Sequence, residues 1–275
     1  MSFLNFGIVK PTFMIIGVQK GGTSSLYHYL SQHPQIIAPE NKELHYFDTA
    51  ANTPKKPYLQ MYPKSYLTKK TSFDATPRYI YFPGTAKKIY DFDPNMKFIV
   101  VLRDPVKRAF SAWNMYRQMQ NDEKRQLQFI AYEQANENEK LHSYLYKEKF
   151  PSFEEWSNIE LSDAFDANII EPSIMRRGYY KEQIETYLKY FKLESFLFLD
   201  FDSIKFDIKD SLNEVTRFLG ISSFRDIDID LKPKNVRTYN ESLSDELYQK
   251  LKIHYQEKNK GLEELVNLKF IWMNS

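Results

Sequence analysis

The chain of 275 residues contains no cysteine, which excludes a disulfide framework and any thiolate metal site. Its five histidines never fall at H-E-x-x-H spacing, so no metal is expected. An excess of one charge is also missing, with 38 Lys and Arg against 36 Asp and Glu for a net +2. That balance does not suggest a nucleic-acid binder, although local basic clusters can still hold a phosphorylated ligand. No apolar run approaches the roughly 20 residues of a membrane-spanning helix, and the opening MSFLNFGIVKPTF lacks a charged stretch followed by an apolar segment of leader length. A soluble, cytoplasmic protein is the expectation. No internal repeat, low-complexity tract or long linker appears, and 42% hydrophobic content is enough for one large core, so a single domain over 1–275 is expected.

The chain is organised around Pro11 to Leu30, PTFMIIGVQKGGTSSLYHYL. Phe13 to Val18 is a short apolar run with β-branched residues, as in a strand buried on both faces of a parallel sheet. Gly21 and Gly22 permit a sharp turn, and Thr23, Ser24 and Ser25 are candidate caps of a helix whose apolar face is Leu26, Tyr29 and Leu30. A glycine turn entering a helix gathers N–H groups and positive dipole, which suits a phosphate. Gly17, Gly22 and Thr23 fit G-x-x-x-x-G-K-[ST], but Lys20 precedes the two glycines and would reach an anion from another side.

Further along, ENKELHYFDTA (40–50) sets Glu43 and His45 among Leu44, Tyr46 and Phe47, surroundings that can raise a carboxylate toward neutrality. Residues 50–70 read as a surface loop with a short helix, and Thr71 to Thr76 as a strand. Phe98 to Leu102 is a second fully apolar strand, followed by Asp104 and Pro105 at a helix start. In an open parallel sheet ligands bind beyond such strand ends, where Arg103 would project, with Ser111 about two helical turns onward. An arginine fork with a serine hydroxyl suits a phosphate. Asp104 also reads as a cap only, Arg108 as an ion-pair partner and Trp113 as core. The charged stretch from Arg117 reads as a solvated face or an acceptor-side lid, and 117–176 as a mostly helical insertion. Ser152 with Glu155 reads as a capping box. Residues 174–191 carry a helix with Ile184, Tyr187, Leu188 and Phe191 on one face, 195–201 a strand, and 210–219 a helix ended by Gly220. KPKNVRTYNESLSDELYQKL leads from a basic loop into a capped helix. The expected fold is α/β, a central parallel sheet flanked by helices around a P-loop-like strand, loop and helix.

VQKGGTSSLYHYLSQHPQI resembles the 5′-phosphosulfate loop of sulfotransferases that use 3′-phosphoadenosine 5′-phosphosulfate (PAPS), especially their carbohydrate branch. The resemblance implies that Lys20 and the N–H groups from Gly21 through Gly22, Thr23 and Ser24 take up charge on the bridging oxygen. R-D-P-x-x-R-A-x-S-x-W, from Arg103, is similar to the family's 3′-phosphate site, which assigns Arg103 and Ser111 to that phosphate. The glutamate-x-histidine stretch implies Glu43 as general base and His45 as its partner. Gly178 and Tyr179 match a segment near nucleotide and acceptor, and Lys234 and Arg237 fall on the loop that closes over the adenosine. The implied reaction is sulfuryl transfer from PAPS, without a metal, to an acceptor hydroxyl, in all likeness to the family a carbohydrate. Ala75 stands where several relatives carry a lysine, with Arg78 a candidate substitute. Two alternatives stay open: a phosphate-loop kinase, against which the displaced lysine stands, and a silent nucleotide-binding module, which Ala75 favours.

Overall fold

The computed structural model describes residues 6–48, 55–66, 71–120, 149–162, 173–234, 239 and 241–274. Five strands form a parallel sheet in the order β3 (Ile36–Ile37), β5 (Thr71–Asp74), β2 (Pro11–Gly17), β6 (Lys97–Leu102) and β7 (Phe196–Asp200). A separate antiparallel ribbon pairs β1 (Phe6–Ile8) with β4 (Lys64–Tyr66). The helices are α1 (Thr23–Leu30), α2 (Lys55–Gln60), α3 (Thr85–Phe92), α4 (Pro105–Gln120), α5 (Phe153–Glu160), α6 (Tyr180–Leu188), α7 (Phe201–Phe206), α8 (Ile208–Leu219), α9 (Asp245–Lys258), α10 (Leu262–Val266) and α11 (Ile271–Asn274).

The chain divides into two compact units, one comprising Met1–Arg103, Glu182–Arg237 and Leu262–Ser275, the other Asp104–Lys181 and Thr238–Gly261. The first holds the sheet. β2 is central, and Phe13, Met14, Ile15 and Ile16 are all fully buried, which explains an apolar run without alternation. One face packs Phe13, Ile15, Phe73, Ile99 and Val101 against Leu26, Tyr29 and Leu30 of α1 and Leu212 and Val215 of α8. On the other, the Phe98 ring meets Tyr187 and Phe191 at 5.4 and 4.7 Å. From β2 the chain builds β3 and β5 on one side, then crosses to β6 on the other. The carboxyl ends of β2 and β6 are therefore a topological switch point, where such sheets bind ligands.

Local signals mostly land where the sequence places them. Gly220 ends α8 at φ 71°, and Ser152 and Glu155 exchange both bonds of a capping box at α5. Three details differ. β5 stops at Asp74, because Thr76 opens a turn in which its carbonyl accepts the Tyr79 N–H. The 50–70 stretch yields β4 as well as a helix. The cap of α1 is Gly22, at φ 84° with no side-chain cap bond, not a hydroxyl of Thr23, Ser24 or Ser25, because Thr23 already lies inside the helix.

The second unit packs Val106, Ala109, Trp113 and Tyr116 of α4 with Phe153 and Trp156 of α5 and Leu251 and Tyr255 of α9. Trp113 is core, its indole donating to the Pro151 carbonyl at 3.0 Å. Asp104 caps α4 through the Val106 and Lys107 N–H groups at 2.9 and 3.1 Å. Arg108 is fully buried and bonds the Ile174 carbonyl, so among the described residues a backbone contact stands in place of the expected ion pair. Buried Glu160 accepts the N–H groups of Ile174, Met175 and Arg176 at 2.8, 2.7 and 3.0 Å, anchoring the turn that leads to Tyr179. Residues 121–148 and 163–172, most of the anticipated insertion, lie outside the described residues.

Candidate active site

The loop after β2 is closed by the backbone. Val18 N–H donates to the Val101 carbonyl at 3.0 Å, and Gly21 N–H to the Val18 carbonyl at 2.9 Å. A Cβ on Gly21 would lie 2.8 Å from the Val101 oxygen, so no other residue fits. This corrects one expectation: the Gly21 N–H serves the loop and is not offered to an anion. Ser25 and Leu26 N–H groups turn to the Gly22 carbonyl, and the N–H groups of Gly22 and Thr23 open the helix, where its dipole is positive. Lys20 adopts φ 67°, in the left-handed region.

Arg103, at the end of β6, joins this loop directly. Its Nη1 donates to the Lys20 carbonyl at 2.8 Å, and its guanidinium lies 4.6 Å over the Phe201 ring, a cation–π contact. The same ring would sit 3.0 Å from a Cβ on Gly22. Lys234 is held on the first turn of α1, where Ser25 Oγ accepts its N–H at 2.9 Å. The preceding strap is tied by Tyr29 Oη to the Leu231 carbonyl and by Gln32 Oε1 to the Asp230 N–H. Lys234 Nζ meets Asp230 at 3.2 Å. Arg237 lies outside the described residues. Ser111 and Tyr179 belong to the second unit. There Ser111 Oγ shares a hydrogen bond with the Tyr239 hydroxyl at 2.6 Å, and the Tyr179 hydroxyl meets His254 Nε2 at 2.9 Å.

Glu43 and His45 form one charged row with three residues that sequence reading did not join to them, Lys42, Asp48 and Arg78. Glu43 is paired with Lys42 and with His45 Nε2 at 3.5 Å, His45 Nδ1 lies 2.8 Å from Asp48 Oδ2, and Arg78 Nη1 reaches the same oxygen at 3.4 Å. Burial pushes the Glu43 carboxyl up, but the His45 hydrogen bond and the Lys42 charge outweigh it and hold the group at about 2. The expected rise toward neutrality is thus reversed, because two cations face the carboxylate. For His45 burial acts downward, and Asp48 and Glu43 override it to give about 9. At neutral pH the pair is carboxylate and imidazolium. Asp48, with no side-chain exposure, could have been found as the acidic residue three places after His45. Ala75 is fully buried in the core, and the Arg78 charge goes to Asp48. Ile80 N–H donates to the Ile16 carbonyl at 3.0 Å, which ties this row to the end of β2, a few residues from Lys20.

Lys20, Glu43 and His45 take φ of 67°, 64° and 50°, and among the described residues Asn267 is the other positive-φ residue besides glycine. Each costs about 1–3 kcal/mol and persists only where the surroundings enforce it, which happens most often at functional sites. Beside Glu43 opens a cleft of about 320 Å³, lined among others by Asn41, Leu44, Gln60, Met61 and Tyr62.

A sheet with a phosphate-suited loop at its switch point, an arginine bonded to that loop and a charged carboxylate–imidazolium row make a candidate site of the kind a group-transfer enzyme uses. The sulfotransferase domain model matches residues 10–263, and the chain belongs to that family. It is 25% identical to the membrane-associated sulfotransferase kil1 of Dictyostelium discoideum, over 96% of this chain and 67% of that protein. It is also 25% identical to heparan sulfate glucosamine 3-O-sulfotransferase 5 of Mus musculus, over 77% of this chain and 54% of that protein. The chain thus spans two thirds of the first relative's length and about half of the second's. In fold it resembles a sulfotransferase from Alicyclobacillus acidocaldarius, with a TM-score of 0.68 at 23% identity over 96% of this chain and 99% of that one. The kinase alternative falls with the family assignment. Among the described residues no helix is long and apolar enough to cross a membrane.

Proposed function

We propose that this sulfotransferase moves the sulfuryl group of PAPS to a hydroxyl of a carbohydrate acceptor, as one domain in which residues 117–176 serve the acceptor side. The observation that carries the reading is Arg103 on the Lys20 carbonyl of the phosphate-suited loop, together with a charged Glu43–His45 pair whose row is tied through Arg78 and Ile80 to the end of the same strand, β2. The carbohydrate part rests on likeness to heparan sulfate enzymes, whose named acceptors belong to those proteins.

A bound PAPS would supply the sulfuryl group and its leaving phosphate. The fit is electrostatic: a glycine turn that enters a helix at Gly22 and Thr23, with N–H groups at the helix start, and cations at Lys20, Arg103 and Lys234. In this reading Lys20 and the N–H groups of Gly22, Thr23 and Ser24 hold the 5′ end and neutralise charge growing on the bridging oxygen. Arg103 and Ser111 hold the 3′-phosphate, Lys234 and Arg237 cover the adenosine, and Tyr179 borders nucleotide and acceptor. Glu43 receives the acceptor proton and His45 orients it. Sulfuryl transfer resembles phosphoryl transfer with less charge to neutralise, so positioning dominates.

The test is a thermal-shift comparison followed by acceptor arrays with labelled PAPS. At a hundredfold excess over Kd, 3′,5′-phosphoadenosine should add about 2.7 kcal/mol without Mg²⁺. Stabilisation by ATP with Mg²⁺ and none by 3′,5′-phosphoadenosine would overturn the donor assignment, and transfer to phenols or lipids but to no sugar would overturn the acceptor class.

A further inference from the structure

Asp74, at the end of β5, is fully buried and has no cationic ion-pair partner among the described residues. It instead accepts three hydroxyls: Thr76 Oγ1 at 2.7 Å, Tyr79 Oη at 2.8 Å and Tyr58 Oη at 3.2 Å. A buried carboxylate met only by neutral donors is costly to keep, which makes the purpose of those hydroxyls the question. Beyond Asp74, Thr76 meets Tyr79, its carbonyl accepting the Tyr79 N–H and its hydroxyl lying beside the phenol, and among the described residues no hydrogen bond joins it to the Glu43–His45 backbone. Tyr79 does more: its ring is fully buried, and its oxygen accepts the Tyr46 N–H at 2.9 Å and, more weakly, the Phe47 N–H at 3.5 Å. A phenol has one proton to give. Two backbone N–H groups can only donate, so the Tyr79 proton is directed to Asp74.

Tyr46 and Phe47 follow directly on His45, in a stretch whose backbone is strained at Glu43 and His45. Tyr79 itself is fixed to the sheet, since Tyr187 Oη donates to its carbonyl at 2.8 Å and the next residue bonds the Ile16 carbonyl. The geometry points to Asp74 and Tyr79 as positioning residues, a buried pair that transmits the register of the sheet to the Glu43–His45 backbone and keeps both side chains in place. This rests on the reading of Glu43 and His45 as the proton-handling pair.

Two substitutions around one carboxylate separate positioning from bulk stability. Tyr79→Phe and Thr76→Val each remove one donor from Asp74, but only the first releases the Tyr46 N–H. The direct readout is the titration of the His45 imidazole by NMR in the protein without ligand, where Glu43, Asp48, Lys42, Arg78 and Asp74 are the charges that face it. Tyr79→Phe should lower its midpoint by about one unit, as the carboxylates that hold the imidazolium drift apart, and Thr76→Val should leave it in place. In turnover at saturating PAPS, Tyr79→Phe should lose about 10²-fold in kcat, the usual result of misplacing a reacting group by about 1 Å. Thr76→Val should stay within a factor of a few, and both should keep their stabilisation by 3′,5′-phosphoadenosine. Should Tyr79→Phe not fold, Asp74→Asn reads the same point, because its amide would compete with the Tyr46 N–H for the Tyr79 oxygen. If the two donors' removal shifts His45 equally, or not at all, the pair is ordinary core and the proposal is wrong. Normal turnover in Glu43→Gln would instead end the proton-acceptor reading, and the NMR arm would still decide whether Tyr79 positions His45.

Discussion

Asp48 offers the sharpest test of the charged row, because one substitution removes a charge without changing shape. In Asp48→Asn the side chain still fills a site with no exposure, but His45 loses the partner at 2.8 Å. A His45 value raised from 6.5 to about 9 corresponds, at 1.36 kcal/mol per unit, to at most about 3.4 kcal/mol of stability. The imidazole is 28% exposed and shares its shift with Glu43, so water screening and that division leave about 1–2 kcal/mol for Asp48. The sign follows from the direction of the shift. A folded value above the unfolded one stabilises fully below the unfolded pKa and is lost as pH rises from about 6.5 to about 9. Loss of the Arg78 contact lowers stability by a similar amount at every pH in that window, because a guanidinium stays charged throughout. Urea unfolding at about pH 6 and about pH 9 therefore separates the two: wild type should lose stability over this interval by about 1–2 kcal/mol more than Asp48→Asn. Parallel curves for the two proteins would show that Asp48 does not hold the His45 proton.

Three further outcomes are expected. Glu43→Gln should reduce turnover about 10²–10⁴-fold while Kd for 3′,5′-phosphoadenosine, followed by calorimetry, changes by no more than a factor of a few. Arg103→Ala should weaken 3′,5′-phosphoadenosine by about 2–5 kcal/mol and adenosine 5′-phosphate by clearly less; equal losses would confine Arg103 to bracing the Lys20 carbonyl. Gly21→Ala, whose Cβ would meet a carbonyl oxygen at 2.8 Å, should destabilise the fold by about 1–3 kcal/mol and abolish nucleotide-dependent thermal shifts, and a variant with normal stability and binding would mean that the loop is looser than its bonds indicate.

Where a signal is local, the sequence carries it well. The apolar runs of β2 and β6, the capping box at Ser152 and the Gly220 stop each depend on residues a few positions apart. Ser25 shows the limit of such reading: as a helix-capping type it is sensible, yet its hydroxyl holds Lys234, which lies 209 residues away in the chain. β4 stayed hidden because a three-residue edge strand is defined by its partner β1, not by its own composition. The direction of the Glu43 shift was misjudged for a related reason. Large apolar neighbours are visible in the string LHYF, whereas the competing cations act through side-chain geometry, and two of them outweigh desolvation. Phe201, under the Arg103 guanidinium, reads in sequence as the last residue of the 195–201 strand, and an apolar strand residue carries no sign of a cation over its ring.

A carboxylate held at about 2 is a weak base, and this bears on what Glu43 does in the proposed reaction. In a loose transition state the attacking hydroxyl has formed little bond to the transferring group, so its proton is barely more acidic than in water and a strong base gains little. Once the new oxygen–sulfur bond forms, that proton becomes very acidic and even a weak carboxylate takes it. What Glu43 must supply before then is a fixed acceptor site for the hydroxyl, and the strained φ values at Glu43 and His45, braced from Tyr79, provide one. The same two cations that depress its basicity also help the transfer: Lys42 and protonated His45 put positive charge beside the incoming oxygen. A relative's lysine at the position of Ala75 would put a charge at the end of β5. Here Ala75 is apolar core beside the buried Asp74, and the positive charge next to Glu43 comes instead from Lys42 and His45, between α1 and α2.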